Sequence, residues 1–268
     1  MAIKSFKRFE KKFIITKEQY SKLLPILLDY MNLDKHCKAG ENYSIYNIYY
    51  DTINNDVIRH SISKPYYKEK LRLRSYNVPK SLDDKVFLEL KKKINGIVNK
   101  RRVIMTLGEV YEFFEKGIKP NFDDYENKQV IREIEYYLSK NKVYPNVYIG
   151  YSRKALFGKE DKEFRVTFDN EITARRNDLY LTSGCFGYDI LGENKYLMEV
   201  KFLGSIPLWF TKILSDLKIY NTHYSKYGTE YNMYCLGNKK DKVVNTANEL
   251  KENVLNINNN IKRSLKIC

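Results

Sequence analysis

The chain has 268 residues, of which 43% are hydrophobic and 30% are charged, so it is long and apolar enough to fold around a sizeable core and is not an intrinsically disordered polymer. Its 48 Lys and Arg residues exceed its 33 Asp and Glu residues, which gives a formal net charge of +15. That excess favours an anionic partner such as nucleic acid, an acidic membrane or phosphate compounds, but charge alone does not choose among them.

The spacing of the cysteines and histidines and the character of the N-terminal residues further limit the class of protein. The cysteines and histidines are scattered, without a C-x-x-C pair or zinc-ligand spacing, at Cys37, Cys185, Cys235, Cys268, His36, His60 and His223. We therefore expect neither a disulfide scaffold nor a structural zinc site. Residues 1–8 lack the apolar core of a signal peptide, and no apolar run approaches the length of a membrane span. The sequence predicts a cytoplasmic protein without a membrane span.

The chain opens with strand-like alternation from Arg8 to Ile15. Thr16 and Gln19 then have the spacing of a helix-capping box, and apolar residues recur at helical spacing as far as Met31. Pro25 lies inside that pattern, so we expect it to kink or to split the helix.

Further strands alternate with helices along the rest of the chain. Strands are predicted over 43–52, 68–76, 85–93, 96–107, 146–156, 162–172 and 195–202, with a helical insert over 108–141 and late helices after Pro207 and from Ser225. About eight strands favour an α+β fold: a closed eight-stranded antiparallel β-barrel with helices packed outside and at its ends. The barrel domain is predicted over residues 1–236, and the Lys- and Asn-rich residues 237–268 are predicted to be a peripheral tail.

Charged residues recur at every second position of these strands. Because residues i and i+2 share one face of a strand, Arg72 and Arg74 lie opposite Leu71 and Leu73. The sets that share such faces are Arg8-Glu10-Lys12, Arg72-Arg74, Glu89-Lys91, Lys100-Arg102, Tyr151-Arg153, Arg165-Thr167-Asp169 and Glu199-Lys201. Arg101 leaves open which residues of its basic run face the same way.

Seven such strands predict an inverted barrel, with charges inside and apolar faces covered by the helices. Two unit charges about 6 Å apart repel by roughly 3 kcal/mol at an effective dielectric constant of about 20, so an empty cationic lumen is unfavourable. We expect Glu10, Glu89 and Glu199 to offset only part of this repulsion. The aromatic residues alternate with the cations and are expected to point away from them, which disfavours a specific nucleic-acid surface. The pattern therefore predicts a lumen that binds a phosphate polyanion, with arginine forks and lysine point charges as ligands.

The ordered set of motifs resembles a known family. It comprises Arg8-x-Glu10-x-Lys12, Leu71-Arg72-Leu73-Arg74, Glu89-Leu90-Lys91, Lys100-Arg101-Arg102, Tyr151-x-Arg153, Phe164-Arg165-Val166-Thr167-Phe168-Asp169, Met198-Glu199-Val200-Lys201 and Ser225-Lys226-Tyr227. Over roughly residues 4–236 the chain resembles bacterial VTC domains, the polyphosphate polymerase branch of the triphosphate tunnel metalloenzymes, also called the CYTH-like superfamily.

The resemblance implies an enzyme that transfers the γ-phosphate of ATP onto a growing inorganic polyphosphate chain, assisted by Mn²⁺ or Mg²⁺. The residues it implies as phosphate ligands are Lys12, Arg72, Arg74, Lys91, Lys100, Arg102, Arg153, Arg165, Lys201 and Lys226. Among them, a catalytic role is implied for Lys12, Arg72, Arg74, Lys91, Arg153, Arg165 and Lys226. Glu199 is the implied metal ligand, and ATP and polyphosphate are the implied partners.

Several alternatives stay open at this point. The hydrolase and cyclase branches of the superfamily begin with E-x-E-x-K, whereas this chain has Arg8 at the first position, which favours the polymerase branch over a triphosphate or nucleoside triphosphate hydrolase. A non-catalytic polyphosphate-binding module is the third candidate. Glu10 and Glu89 can be salt-bridge partners or metal ligands, and Asp169 a second metal ligand or a structural acceptor. The resemblance identifies no regulatory partner.

Overall fold

The computed structural model describes residues 8–37, 40–95 and 97–237. The chain divides into two units, Met1–Gly228 and Thr229–Cys268. In the second unit, residues 229–237 are described and are helical. The predicted tail beyond residue 237 lies outside the described residues, and its boundary stays a prediction.

Every strand predicted from the sequence is present. The strands are β1 (Arg8–Thr16), β2 (Met31–Leu33), β3 (Tyr43–Asp51), β4 (Tyr67–Ser75), β5 (Lys85–Ile94), β6 (Ile97–Thr106), β7 (Tyr144–Gly158), β8 (Arg165–Arg175), β9 (Tyr188–Asp189) and β10 (Lys195–Leu203). The helices are α1 (Lys17–Tyr30), α2 (Asp56–Ile62), α3 (Leu107–Lys116), α4 (Tyr125–Lys140), α5 (Leu208–Asp216) and the helical residues 226–237. The short elements β2, α2 and β9 carry too few residues for a periodic pattern, and the sequence did not predict them.

Helix α1 begins as predicted and ends later than its proline suggests. The Thr16 side chain accepts a hydrogen bond from the Gln19 backbone N–H, and the Gln19 side chain accepts one from the Thr16 N–H, which completes the capping box. The helix continues through Pro25 to Tyr30, so the proline does not split it. Leu23 and Leu27, which flank the proline, are fully buried, and this packing outweighs the hydrogen bond that proline removes.

The strands form one antiparallel sheet in the order β1-β10-β8-β7-β3-β4-β5-β6, with β2 on β7 and β9 on β8. The prediction of a barrel closed by hydrogen bonds is wrong for the described residues, because β1 and β6 end the order and no ladder joins them. The free edge of β1 is partly occupied: the Lys12 carbonyl accepts a hydrogen bond from the Thr222 N–H at 2.7 Å. The sheet nevertheless curls, since β1 and β6 approach one another.

The apolar faces of the strands carry the helices, as predicted. One core cluster joins β4, β5 and β6 through residues such as Leu73 and Leu88 to Val110 of α3 and Ile134 of α4. A second cluster joins β1, β8 and β10 to α1 and α5, with Phe13, Phe168 and Met198 on the sheet and Leu23 and Phe210 on the helices. The opposite face of the sheet, which we call the charged face, is therefore turned away from the helices and toward the inside of the curl.

Candidate functional site

The charged face brings together eight cations and four carboxylates. Each cation has a nitrogen within 4.0 Å of a carboxylate oxygen of the set. The carboxylates are Glu10, Glu89, Asp169 and Glu199, and the cations are Lys12, Arg72, Arg74, Lys100, Arg102, Arg153, Lys201 and Lys226. The sequence predicted the cations but underestimated the carboxylates, which neutralise about half of the positive charge here.

Glu89 on β5 is the centre of one cluster. Its carboxylate accepts hydrogen bonds from Nε of Arg72 and Nε of Arg102, both at 2.6 Å. Arg74 and Lys100 lie 3.8 Å and 3.6 Å from it. Burial by itself would raise the pKa of Glu89, but these four cations outweigh burial and hold the pKa well below its ordinary value. Glu89 therefore remains a carboxylate under all ordinary conditions and is a salt-bridge partner, one of the two roles that the sequence left open.

Glu199 and Asp169 form a second cluster. Arg153 binds Asp169 with two hydrogen bonds, at 2.6 Å and 2.7 Å, and lies 3.5 Å from Glu199. Lys226 donates to both carboxylates, at 2.5 Å to Asp169 and 3.3 Å to Glu199, and Lys12 lies 3.2 Å from Glu199. Burial raises the pKa of Glu199, yet Lys12, Lys226 and Arg153 lower it to well below its usual range. Asp169 is thus the acceptor that fixes Arg153 and Lys226.

Glu10 links this second cluster to β10. It lies 3.3 Å from Lys12 and 3.9 Å from Lys201. Burial lowers the pKa of Lys201, and although Glu199 and Glu10 oppose this, the pKa falls to about 8. Lys201 is consequently the cation of this cluster that loses its proton most readily as the pH rises above neutral.

Tyrosine side chains also lie on the charged face, which corrects the expectation that the aromatic residues point away from the cations. The phenol oxygens accept hydrogen bonds from guanidinium groups at 3.1–3.3 Å: Tyr49 from Arg72, Tyr151 from Arg74, and Tyr76 from Arg102. A guanidinium held by both a carboxylate and a phenol has a restricted orientation. These tyrosines are therefore orienting groups for the arginines.

The basic run of β6 is resolved by the register of the sheet. Lys100 and Arg102 face Glu89, whereas Arg101 points to the other side and pairs with Glu133 of α4 at 3.1 Å. The structure therefore places the two predicted ligands together and leaves Arg101 among the helices.

Arg165 lies directly opposite Lys201 in the register of β8 and β10, but its ion pair is with Asp34, outside both clusters. Its guanidinium lies 3.3 Å from Asp34 and packs over the ring of Phe157, with 4.7 Å between guanidinium carbon and ring centroid. Its Nε is buried without a hydrogen-bond partner, and the same is true of the hydroxyl of Thr167 two residues further along β8. Buried polar atoms are rarely left unpaired, so these two groups are available to a bound ligand.

Sequence reasoning missed Lys68 and Lys70 of β4. Both precede Arg72 and Arg74 with the same two-residue spacing, and the register sets Lys70 opposite Lys91 and Lys68 opposite Lys93. The alternation that identified the arginines was the signal that could have found them.

The carboxylates of the charged face do not form a cage for a divalent metal. Among the described residues no group of three His, Cys, Asp or Glu side chains has metal-ligand spacing, and both Glu199 oxygens face cations. A metal held by protein ligands alone does not fit this arrangement. A Mg²⁺ or Mn²⁺ ion that arrives bound to phosphate oxygens does fit, because such an ion needs only one or two carboxylates.

A curled antiparallel sheet with a buried, predominantly cationic inner face defines a tunnel-type fold that suits phosphate-containing ligands. The model of the VTC domain family matches residues 7–235 of this sequence, so the chain belongs to the VTC domain family, a family of phosphate-related tunnel-fold enzymes. A search of curated proteins gives no match.

Two solved structures are similar over most of the chain. One is a "putative adenylate cyclase" from Bacillus halodurans, at 14% identity, covering 82% of this chain and 95% of that chain with a TM-score of 0.48. The other is the PH1819 protein from Pyrococcus horikoshii OT3, at 13% identity, covering 84% and 99% with a TM-score of 0.43. Among the described residues no helix is both long and apolar enough to cross a membrane.

Proposed function

We propose that this protein is a polyphosphate polymerase, which transfers the γ-phosphate of ATP onto a growing chain of inorganic polyphosphate inside a tunnel lined by the charged face. The observation that carries the proposal is the excess of cations over carboxylates on that face, where all of these cations except Lys100 are buried or half-buried. Membership of the VTC domain family supports it. The proposed compartment is the cytoplasm.

Phosphoryl transfer needs positioning and charge neutralisation more than a covalent protein intermediate. The arginines held by Glu89 and the tyrosines present fixed forks to phosphate oxygens, and Lys12, Arg153 and Lys226 surround the second cluster. The unpaired Arg165 Nε and Thr167 hydroxyl offer further donors. A ligand that accepts these hydrogen bonds would also replace part of the internal ion pairing.

Glu199 is the residue that we propose for metal binding. Thr167 lies directly opposite it on β8, so a phosphate that takes the Thr167 hydrogen bond would lie beside the Glu199 carboxylate. A bound Mn²⁺ or Mg²⁺ would supply charge neutralisation to the β- and γ-phosphate oxygens. Lys12 and Lys226 would then shift their contacts from Glu199 to phosphate oxygens.

The test is a product analysis by gel electrophoresis after the purified protein is incubated with ATP and Mn²⁺. We expect ADP together with long-chain polyphosphate, and we expect neither product when Glu199→Gln replaces the wild type. Orthophosphate without polymer would indicate a hydrolase and contradict the polymerase. Binding of polyphosphate without any turnover would indicate a non-catalytic binding module.

A further inference from the structure

Two neighbouring rows of the charged face are both positive but differ in how much of their charge is neutralised within the row. Strands β4, β5 and β6 lie side by side, so residues that are directly opposite one another form rows across the three strands. The arginine row is Arg72–Glu89–Arg102, and the lysine row, two residues away on each strand, is Lys70–Lys91–Lys100. The arginine row alternates in charge, whereas the lysine row consists of three like charges.

The lysine row has almost no internal counter-ion. Lys70 and Lys91 have no described carboxylate oxygen within 4.0 Å, and Lys100 reaches one only at Glu89 of the arginine row. Like charges directly opposite one another destabilise a sheet. Lys91 is flanked by lysines on both sides, and the carboxylates that act on it, Glu10 and Glu199, lie more than 4.0 Å away, so this row is less neutralised than the arginine row.

The groups around Lys70 add to this imbalance. They are Lys68 and Arg72 on β4, Lys91 on β5, Lys12 on β1, Asp51 on β3 and the ring of Tyr227, whose centroid lies 5.8 Å from the Lys70 Nζ atom. Burial lowers the pKa of Lys70 to about 7, and the charges of Lys91, Lys68 and Lys12 act in the same direction, whereas Asp51 opposes them. An anion bound beside Lys70 would relieve this repulsion.

We propose that the lysine row is a second phosphate subsite, which holds an internal unit of an extended phosphate chain, and that Lys70 is its additional binding residue. The inference rests on the proposed function in that the charged face binds phosphate chains. Rows two residues apart are separated by about 7 Å, so a long chain bound at the arginine row continues onto the lysine row, whereas an anion shorter than this spacing, such as pyrophosphate, does not span both rows.

The side-chain chemistry distinguishes the two rows. Arginine forks bind phosphate oxygens in a fixed bidentate geometry, and here Glu89 and the tyrosines fix them further. Lysine ammonium groups are point charges that accept a phosphate in any orientation. The arginine row is therefore suited to holding one phosphate in place, and the lysine row to a polymer that moves past it as it grows.

The experiment compares two ligands and three variants by isothermal titration calorimetry at neutral pH and fixed salt. The ligands are inorganic pyrophosphate and long-chain polyphosphate. The variants are Lys70→Met, the charge-retaining Lys70→Arg, and the control Lys11→Met. Lys11 is exposed on the opposite face of β1, so its replacement removes the same charge without touching the charged face.

We expect Lys70→Met to weaken long-chain binding by about tenfold or more relative to Lys11→Met, the loss of one charge-assisted contact, while pyrophosphate binding changes by less than about threefold. Lys70→Arg should restore most of the long-chain affinity. Equal losses for both ligands, or a Lys70→Met variant identical to Lys11→Met, would overturn the second subsite. If the wild type binds neither ligand, the proposed function itself fails. Circular dichroism melts establish that each variant is folded.

Discussion

Glu89→Gln is the change that most directly tests how the charged face works. The Glu89 side chain is fully buried and contacts four cations, two of them through hydrogen bonds of 2.6 Å. Glutamine keeps the volume of the side chain but removes its charge. In the ligand-free protein Glu89 occupies the place that an anionic phosphate would take among these cations, so the substitution should have opposite effects on stability and on binding.

The size of both effects follows from the contacts. Removal of one partner from a buried ion pair typically costs about 3–5 kcal/mol, and we expect the free energy of unfolding without ligand to fall by about that amount. Phosphate no longer has to compete with the carboxylate. If it gains one charge-assisted hydrogen bond of about 1.5–3 kcal/mol, the affinity for tripolyphosphate should rise roughly tenfold to a hundredfold.

The assay is urea denaturation with and without tripolyphosphate, together with calorimetric titration of the same ligand. Glu133→Gln is the matched control, because Glu133 binds Lys92 and Arg101 on the helix side of the sheet, both at 3.1 Å. Its pairs are partly exposed, so its loss should cost no more than about 1 kcal/mol and leave phosphate affinity unchanged. If folded Glu89→Gln binds tripolyphosphate no more tightly than the wild type, the phosphate and the Glu89 carboxylate do not compete for the same guanidinium atoms.

Three further outcomes are expected. The folded-state pKa values of Glu199 and Asp169 are lowered, so the stability that the two carboxylates contribute should be complete above the ordinary carboxyl pKa of about 4 and should decline as the pH falls below it. Thermal melts at decreasing pH measure this decline. Constant stability in acid would contradict the ion pairing of the two carboxylates. The pKa of Lys201 lies at about 8, so its deprotonation should weaken tripolyphosphate binding as the pH rises through that value. In calorimetric titrations at increasing pH, Lys201→Met should make the tripolyphosphate affinity less dependent on pH. An unchanged pH dependence would show that Lys201 does not contact the ligand. Leu88→Ala, on the helix side of β5, should lower the free energy of unfolding by about 2–5 kcal/mol in denaturation experiments, and a loss of under about 1 kcal/mol would mean that the helices do not cover this face.

The faces of the strands could be read from the sequence because their period is a local property. The alternation of Leu71 and Leu73 with Arg72 and Arg74 is sufficient to predict that one face of the strand is apolar. The amphipathic helices pack on that apolar face. By the same rule Lys70 belongs with the arginines, so its placement was predictable from the sequence.

Partners across the sheet could not be read in this way. Glu89 meets Arg72 on one side and Arg102 on the other because of the register of β4, β5 and β6, and a slip of one residue would turn each side chain to the opposite face. The edge of β1 was equally hidden, since the Lys12 carbonyl bonds to Thr222, a residue more than two hundred positions later. Such pairings depend on topology, which composition and periodicity do not contain.

The ion pairs formed across the sheet change the reason for expecting an anionic ligand. From the sequence, the reason was total repulsion in a lumen with too few acids, yet buried carboxylates offset about half of the cations that contact them. What remains is local: the arginine row carries its own counter-ion in Glu89, while Lys70 and Lys91 have no described carboxylate within 4.0 Å. A phosphate chain that lies across both rows would replace a carboxylate in one and supply the missing charge in the other. The net gain in binding free energy therefore comes from the lysine row, and the protein should bind long phosphate chains more tightly than short ones.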